Sequence, residues 1–507
     1  MTASLPTNLT ASTATSARAS GIWRGWLLVF IAASALYAMT ASRTIGWQDS
    51  GQFVLRVVRG ELANPLGLAL THPLYFWICR TCVALLPIEP PVLLPLIAAM
   101  LGATAVANVY GIVKTVTRRT VPAVLAAGSL AVAHTFWRMT TQAKGIDPMA
   151  AALLTFELWS LIQWDRTRRP VWLIVMFLLN GLGLASLNMA LLTLPVIGIV
   201  LILAVSSGEA GWAMFLISGL SWLVGSSAFT GYVAYVAWTS GDVIGTIRSA
   251  LFGNYSSAVL GQHFQLGFTL TSLAFTILSF PNLTLPAALL GIVRGRRAGV
   301  PKLTYVALLS ALAIHLLFVL RYQIIDQYTF LLPAYSMIAI LAGVGFAAVE
   351  VQFPANAGSA ILAVAAVAIG LTPILYLVVP ATARHFHVLG AQANHKPYRD
   401  DYRYLFSPWG RGEDSANRMS REAVNLAGQG GYIIAEDAMG EFAIDYQIAH
   451  RNLRNVEVLH SADPIVIMAA AKSGRHVVLV TPSIETPPAP PPLGRWQRVG
   501  DLYVLQD

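Results

Sequence analysis

Two short segments near the N-terminus carry side chains with the chemistry of an enzyme site. The first, Trp47-Gln48-Asp49-Ser50-Gly51, follows an apolar run that ends near Ala41, and the second is Thr71-His72-Pro73. A carboxylate such as Asp49 can accept a proton from an attacking hydroxyl or orient that hydroxyl. Partial burial would raise the pKa of Asp49 towards neutrality. The alternative interpretation is that Asp49 only caps a short helix.

His72 is the second candidate. It precedes Pro73, and proline suits the first turn of a helix. From that position the imidazole would reach a phosphate or a sugar hydroxyl. The alternative is a histidine that lies at the membrane surface without a role in binding.

Further polar side chains gather in three later connections between apolar runs. Cations at the outer surface of a membrane suit a lipid phosphate, and the arginine fork fits phosphate oxygens. The predicted substrate-binding residues are Arg138, Lys144 and Asp147 in one turn, Asn188 after a run of small residues, and Arg321, Tyr322 and Asp326 in another turn. A fourth connection holds Asp242, Arg248, Asn254, Tyr255 and His263, which the sequence does not rank.

Each of these groups also has a structural interpretation. The cations of the first turn would reach lipid headgroups, and the small residues before Asn188 would allow close helix packing. Arg321 and Asp326 would form an ion pair. Both kinds of interpretation stay open at this point.

The composition indicates what must position these side chains. Of 507 residues, 56% are hydrophobic and only 11% are charged, against about 25% charged in soluble domains. We therefore predict a polytopic α-helical membrane protein. About eleven spanning helices are predicted, at 25–41, 91–113, 120–137, 148–164, 171–187, 189–205, 212–237, 266–293, 303–320, 327–349 and 358–379.

The basic residues predict the orientation of these helices. The net charge of +9 comes from short clusters between apolar runs, which is not the pattern of a nucleic-acid-binding protein. The run Pro73–Leu86 is shorter than the roughly twenty residues that span a bilayer, so we predict that it lies at the outer surface. The clusters at 114–119, 166–169 and 294–302 then share a side with the N-terminus. That side is cytoplasmic by the positive-inside rule, and all candidate site residues lie on the outer side. The membrane is predicted to be the inner or plasma membrane of a bacterium.

Three regions follow from this pattern. Residues 1–24 are predicted to be a cytoplasmic tail, with a signal peptide as the alternative, and residues 25–380 a membrane domain with a long first outer loop at 42–90. Residues 381–507 are predicted to be an extracytoplasmic soluble α/β domain with a mostly parallel sheet. Its predicted helices are Asn417–Ala427, Glu441–His450 and Pro464–Lys472, and its predicted strands are 431–435, 456–459, 477–480 and 501–505.

The chain has two cysteines, Cys79 and Cys82. A single C-x-x-C pair offers too few ligands for a structural zinc site. We interpret the cysteines as small apolar residues on one helix face, with a redox or metal pair as the alternative.

The ordered set of motifs resembles the protein O-mannosyl-transferase-like family of GT-C-type membrane glycosyltransferases. The matching segments are Asp49-Ser50-Gly51, His72-Pro73-Leu74-Tyr75, Thr135-Phe136-Trp137, Gly183-Leu184-Ala185 with Asn188, and Asp326 followed by Phe330-Leu331-Leu332-Pro333-Ala334-Tyr335. They occur in the family's order across most of residues 40–340. The chain departs from the family pattern at Gln52, where the family has Glu, in the shorter run after His72, and at Gln142 and Lys144, where the family has acids.

The resemblance implies a GT-C-like membrane domain and an enzyme, a glycosyltransferase. Such an enzyme moves a sugar from a polyprenyl-phosphate donor to a protein, lipid or glycan acceptor on the outer face of the membrane. The resemblance assigns the catalytic base to Asp49 and places the leaving phosphate near Arg138, Lys144 or Arg321. It also implies that the C-terminal domain lies over the site and shapes the acceptor pocket.

No dedicated metal site and no nucleic-acid partner are predicted. One aspartate plus a phosphate would hold a divalent cation, Mg or Mn, only weakly. Two other functions remain open. A transporter or flippase predicts ionisable residues within the membrane and repeat symmetry, and Glu157 and His315 come nearest to that pattern. A non-catalytic assembly protein on a GT-C scaffold would agree with the departures at Gln52 and Lys144.

Overall fold

The computed structural model describes residues 8–261, 263–390, 395–461, 463–484, 488–491 and 493–506, with side chains from residue 21 onward. Residues 1–7 of the predicted N-terminal tail lie outside this range. The first helix begins at Asn8, inside that predicted tail, and runs without a break into the first apolar span. The last membrane-domain helix ends at His385, five residues beyond the predicted boundary at 380.

The N-terminal domain is helical throughout. Its helices are α1 (Asn8–Thr40), α2 (Gln48–Arg59), α3 (Pro73–Leu85), α4 (Pro90–Thr117), α5 (Thr120–Ala131), α6 (His134–Thr140), α7 (Ile146–Thr167), α8 (Val171–Ser186), α9 (Leu194–Ser206), α10 (Ala213–Ser240), α11 (Val243–Phe252), α12 (Ser256–Val259), α13 (Leu266–Ser279), α14 (Thr284–Arg294), α15 (Lys302–Arg321), α16 (Leu332–Gln352) and α17 (Ala355–His385). Short 3₁₀ segments lie at Leu68–Leu70, Asn188–Leu192, Gly253–Tyr255 and Gln327–Leu331.

A multi-pass helical architecture is confirmed, but the count of eleven spans is not. In the described chain, six helices are long and apolar enough to cross a membrane, or eight if two bent pairs each count as one span. The bent pairs are α5 with α6, at 67°, and α13 with α14, at 99°. Pro281 explains the second bend, because proline forces the preceding residue out of the helical conformation. The other three predicted spans correspond to α7, α8 and α9. Helices α8 and α9 have 16 and 13 residues, fewer than the roughly twenty that span a bilayer.

The basic connections meet at one end of the helical domain. The Arg166 guanidinium donates to the Thr115 carbonyl at 2.6 Å, and the Thr304 amide donates to Asp165 at 3.1 Å. These contacts bring the residues after α4, the end of α7 and the start of α15 together. The first loop and the connections that carry the candidate site residues meet at the opposite end.

The small C-terminal α/β domain is confirmed. Its elements are α18 (Asp401–Phe406), α19 (Ser415–Ala427), β1 (Tyr432–Ala435), α20 (Ala438–His450), β2 (Glu457–Leu459), α21 (Pro464–Lys472), β3 (Val477–Val480), β4 (Arg495–Val499) and β5 (Leu502–Gln506). The sheet order is β2-β1-β3-β5-β4. Strand β1 is parallel to β2 and β3, while β5 is antiparallel to β3 and β4. The sheet is therefore mixed, and the prediction of a mostly parallel sheet is wrong because the last two strands form a hairpin.

Strand β4 was not predicted from the sequence. It is an edge strand with polar residues at three of its five positions, so it lacks the apolar run that marks the central strands. The turn between β4 and β5 needs Gly500, whose φ is +60°.

The C-terminal domain packs against the first loop of the membrane domain. The Arg411 amide donates to the Thr40 carbonyl at 2.8 Å, and the Trp47 indole donates to Ser415 at 2.7 Å. Helix α20 lies along α2, where Arg59 and Asp445 form an ion pair at 3.1 Å. The domain therefore supports α2, the helix that carries Asp49.

Candidate active site

A cavity of about 290 Å³ lies where the first loop meets the connections before α7, after α8, after α11 and after α15. Its polar lining residues are Gln48, Asp49, Gln52, Asn64, His72, Lys144, Asp147, Asn188, Tyr255, Tyr322 and Asp326. Its apolar lining residues are Phe53, Leu66, Ala69, Leu70, Ile146, Leu187, Met189, Leu191, Leu192, Leu251, Phe252, Val259, Phe318, Ile324 and Phe330. All of these residues belong to the membrane domain.

The C-terminal domain does not line this cavity, and its role in shaping an acceptor pocket stays a prediction. No described residue after 330 lines it. The α/β domain packs behind α2 instead, because Phe442 on α20 fills the space beside Gly51. A Cβ at Gly51 would lie 3.3 Å from the Phe442 Cβ and 2.7 Å from the Gly46 carbonyl.

Asp49 forms an ion pair with Lys144 in the cavity wall. The carboxylate, in the first turn of α2, lies 2.8 Å from the Lys144 ammonium. The positive charge of Lys144 outweighs burial and lowers the pKa of Asp49 below its usual value of 3.8. The predicted rise in this pKa is therefore wrong, because a cation faces the half-buried carboxyl. Asp49 is ionised at neutral pH.

Lys144 is paired with Asp49 and also feels the negative charges of two further carboxylates, those of Asp147 and Asp326. Its side chain is 12% exposed. Burial alone would lower the pKa of Lys144, but Asp49, Asp147 and Asp326 together raise it well above its usual value. The ammonium therefore stays charged.

Asp147 is the most deeply buried of these carboxylates. It lies in the first turn of α7, ahead of the predicted span 148–164, and is only 2% exposed. Its Oδ2 has no hydrogen-bond partner among the described residues. Burial raises the pKa of Asp147 to about 6; Lys144 opposes this shift, whereas Asp326 and Asp49 add to it.

His72 is held in one tautomer on the cavity wall. It precedes α3 with a left-handed backbone, φ +49°, and Pro73 occupies the first turn as predicted. Its Nδ1 lies 2.6 Å from the Ser186 carbonyl, so Nδ1–H donates and Nε2 is left as an acceptor. Burial lowers the pKa of His72 to about 3, and the ring is neutral. Because it is 7% exposed, His72 is not a histidine of the membrane surface.

Three further predicted residues complete the cavity from its other side. The Asn188 amide donates to the carbonyls of Ala250 and Leu251 at 2.8 and 3.2 Å, which holds the end of α11 against the cavity. Tyr322 is buried directly after α15, and Asp326 precedes the 3₁₀ segment that begins at Gln327. Seven of the nine predicted site residues thus line one cavity.

The structure places Arg138 and Arg321 outside this cavity. Arg138 donates to the Tyr404 carbonyl and lies 4.4 Å from the Tyr404 ring, so it holds the C-terminal domain. Arg321 donates to the Gly261 carbonyl at 2.9 Å. The ion pairs of the described residues do not include one between Arg321 and Asp326. These placements favour structural roles for both arginines.

Sequence reasoning did not single out Gln48 and Asn64, which line the cavity, or Arg56, which supports the first loop. Arg56 is 3% exposed and donates to the carbonyls of Leu62 and Thr71, so it fixes the course of the first loop. The Asn64 amide donates to Gln52 at 3.3 Å within the cavity wall. The one sequence signal that could have indicated a role for Arg56 was the position of this arginine on the apolar face of a short amphipathic helix, α2.

The residues that came nearest to a transporter pattern pack within the helical domain. The Asn180 amide donates to Glu157 at 3.0 Å, and His315 Nδ1 lies 2.9 Å from the Ala311 carbonyl.

Cys79 and Cys82 are both free thiols. Among the described residues, no group of three or more His, Cys, Asp or Glu side chains is arranged to hold a metal ion.

Comparison with known proteins agrees with the motif resemblance. Residues 49–209 match the family model of the protein O-mannosyl-transferase TMEM260 N-terminal domain. The resemblance to this family is thereby confirmed. The matched stretch carries Asp49, His72, Lys144, Asp147 and Asn188, whereas Tyr322 and Asp326 lie beyond it. No curated protein sequence matches the chain.

The fold is similar to that of two solved GT-C glycosyltransferases. ArnT from Cupriavidus metallidurans, bound to undecaprenyl phosphate, has a TM-score of 0.52 and 13% identity, covering 90% of this chain and 93% of that chain. The apo oligosaccharyltransferase of Archaeoglobus fulgidus has a TM-score of 0.50 and 14% identity, covering 89% of this chain and 69% of that chain. At such identities the likeness concerns the fold alone.

Proposed function

We propose that this protein is a GT-C-type membrane glycosyltransferase that uses a polyprenyl-phosphate sugar as donor. The observation that carries the proposal is the two-part wall of the cavity. One part has ionised and hydrogen-bonding groups around Lys144, and the other consists of apolar side chains that include Leu192, Leu251 and Phe318. A lipid that bears a phosphate and a sugar has the same two parts. The ArnT structure, which has a similar fold, contains undecaprenyl phosphate.

The transfer step assigns different roles to Asp49 and Lys144. An acceptor hydroxyl attacks the anomeric carbon, the bond between that carbon and the phosphate oxygen breaks, and polyprenyl phosphate leaves. Asp49, ionised at neutral pH, takes the proton of the hydroxyl. Lys144 stabilises the charge that develops on the leaving phosphate, since an ammonium has three donors and Asp49 uses one. The acceptor is a protein, lipid or glycan hydroxyl.

The same proposal includes the orientation in the membrane. The end of the helical domain with the basic connections is cytoplasmic by the positive-inside rule. The cavity and the C-terminal domain are then extracytoplasmic, in the inner or plasma membrane of a bacterium. This arrangement suits a donor that is consumed on the outer leaflet.

Mass spectrometry of bound lipid tests the proposed function. Wild-type protein and the Asp49→Asn variant are each incubated with a polyprenyl-phosphate sugar and with a solubilised membrane extract that supplies acceptor hydroxyls. Asp463→Asn is the matched control in the C-terminal domain. We expect all three proteins to retain the donor, and free polyprenyl phosphate to accumulate with wild type and Asp463→Asn only. Absence of any bound polyprenyl lipid in all three would overturn the proposal.

One observation favours a second candidate, a non-catalytic protein that binds lipid phosphate. Lys144 holds the pKa of Asp49 low, which makes the carboxylate a weaker base. This candidate predicts that wild type retains the donor without releasing polyprenyl phosphate, so the same experiment separates the two functions.

A further inference from the structure

One wall of the cavity comes from the first loop and carries two neutral polar side chains. Gln52 on α2 and His72 before α3 both line the cavity, and they are only 5% and 7% exposed. Gln52 directly precedes Phe53, whose ring centroid lies 5.8 Å from that of His72, so the two side chains belong to the same wall. The proposed transfer step uses neither of them.

Hydrogen bonds fix the direction of the Gln52 amide. The Asn64 oxygen Oδ1 accepts from the Leu66 amide at 2.9 Å, so the other end of the Asn64 side chain is its NH₂ group. That group donates to the Leu70 carbonyl at 3.1 Å and to Gln52 at 3.3 Å. Because an NH₂ group donates only to an acceptor, the Gln52 atom that it contacts is the oxygen Oε1. The nitrogen Nε2 is therefore not used by Asn64.

Gln52 thus presents hydrogen-bond donors to the cavity, and His72 presents an acceptor. Gln52 Nε2 carries two N–H groups, has no partner among the described residues and is not one of the fully enclosed polar atoms. His72 Nδ1–H donates to the Ser186 carbonyl, which leaves Nε2 as an acceptor. This Nε2 is not fully enclosed either. Both nitrogens are accessible from the cavity that their residues line.

A donor, an acceptor and an apolar surface on one wall match the three parts of an acetamido group. The carbonyl oxygen of such a group only accepts hydrogen bonds, its N–H only donates, and its methyl group is apolar. The apolar surface of this wall comes from Leu66, Ala69 and Leu70 of the same loop. A uronic-acid carboxylate would accept from Gln52 but has no proton for His72, and a hydroxyl group has no methyl.

The position of Asp49 indicates which carbon of the sugar carries this group. Asp49 and Gln52 are three residues apart on α2, so their side chains are neighbours on one helix face, with Cβ atoms about 5–6 Å apart. In the proposed transfer step Asp49 acts on the hydroxyl that attacks the anomeric carbon. The substituent that extends from there towards Gln52 is the one on the adjacent carbon, C2.

We propose that the transferred sugar is a 2-acetamido sugar, whose acetamido carbonyl accepts from Gln52 and whose N–H donates to His72. This inference rests on the proposed function, because it assigns the sugar-binding part of the same cavity. Gln52 and His72 are then the residues that determine sugar specificity, and they contact the sugar and not the leaving phosphate.

Native mass spectrometry of the full-length protein in detergent at pH 7.5 tests the proposal. It compares the dissociation constants of undecaprenyl phosphate, the same lipid carrying glucose, and the same lipid carrying N-acetylglucosamine. Gln52→Met removes the hydrogen-bonding group and keeps most of the side-chain volume, and Gln52→Glu replaces the two donors with an acceptor oxygen. Gln497→Glu, on the exposed edge strand β4, is the matched control.

We expect wild type and Gln497→Glu to bind the N-acetylglucosamine lipid about tenfold more tightly than the glucose lipid, equivalent to about 1.4 kcal/mol. Gln52→Met and Gln52→Glu should lose this preference. Gln52→Met should bind undecaprenyl phosphate as wild type does, because the amide does not contact the phosphate. If melting temperatures show that the Gln52 variants are unfolded, His72→Phe, which removes the acceptor nitrogen, should lose the same preference.

The contrary results separate this inference from the proposed function. Equal binding of the two sugar lipids to wild type would overturn the inference and leave the lipid-phosphate site standing. A preference that both folded Gln52 variants keep would also overturn it. So would an equal loss of binding of all three lipids in Gln52→Met, because Gln52 would then contact the phosphate. Absence of binding of every lipid to wild type would overturn the proposed function and the inference with it.

Discussion

Replacing Lys144 with methionine tests the electrostatics of the cavity most directly. The substitution keeps most of the side-chain volume and removes the charge that faces Asp49, Asp147 and Asp326. Without the lysine, the pKa of Asp49 should rise, because the ammonium is the largest influence that holds it down. Lys144→Arg is the matched control, because it keeps a cation at the same position.

The contacts set the size of the effect. The Lys144 side chain is 12% exposed and the Asp49 side chain is 39% exposed. Exposed ion pairs contribute at most about 1 kcal/mol, while breaking a buried pair costs about 3–5 kcal/mol. For this half-buried pair we expect a loss of stability of about 1–3 kcal/mol. Loss of a charged hydrogen bond to a phosphate, about 1.5–3 kcal/mol, would weaken donor binding by roughly tenfold to a hundredfold.

Two assays follow from these magnitudes. Thermal unfolding in detergent measures stability, and native mass spectrometry with undecaprenyl phosphate measures donor binding. We expect Lys144→Met to lower the melting temperature and to weaken lipid binding, and Lys144→Arg to retain most of both. If Lys144→Met binds the lipid as wild type does, the cavity does not use this ammonium for phosphate and the electrostatic reasoning fails.

Three further predictions concern neighbouring features. Burial raises the pKa of Asp147 from 3.8 to about 6, so the folded state holds this proton more tightly than the unfolded state does. The contribution of Asp147 to the free energy of unfolding should therefore fall by about 3 kcal/mol as pH rises from about 4 to about 6. If the melting temperatures of wild type and Asp147→Asn differ by the same amount throughout this pH range, the prediction is contradicted. Gly51→Ala should displace α2 and lower the melting temperature, because its Cβ would crowd Phe442. The control Gly219→Ala has open space at its Cβ and should not lower it. Equal melting temperatures of the two variants would refute the packing of Gly51 on Phe442. Arg138→Met should increase hydrogen exchange at 401–413 and leave undecaprenyl phosphate binding within about threefold of wild type. A loss of binding of about tenfold or more, equivalent to about 1.4 kcal/mol, would place Arg138 in the site.

Local patterns were sufficient for the general architecture. Apolar run length predicts helices that cross a membrane, and the alternation of helices with short apolar strands predicts the α/β domain. Strand β3 and helix α21 have the predicted bounds, and α3 is as short as its apolar run suggested. Asp49 and His72 were recognisable because each stands in a compact motif after an apolar segment.

The membership of the cavity depended on tertiary packing. Arg138, in α6, and Lys144, in the connection that follows it, are six residues apart, yet Arg138 faces Tyr404 while Lys144 faces Asp49. Run lengths do not show such a divergence, because the partners come from segments that are distant in sequence. The same cause reversed the expected pKa shift of Asp49, since burial is suggested by local composition but a counter-ion nearly a hundred residues away is not. Local hydrophobicity selects helices and strands, whereas the direction of each side chain is decided only when those elements pack together.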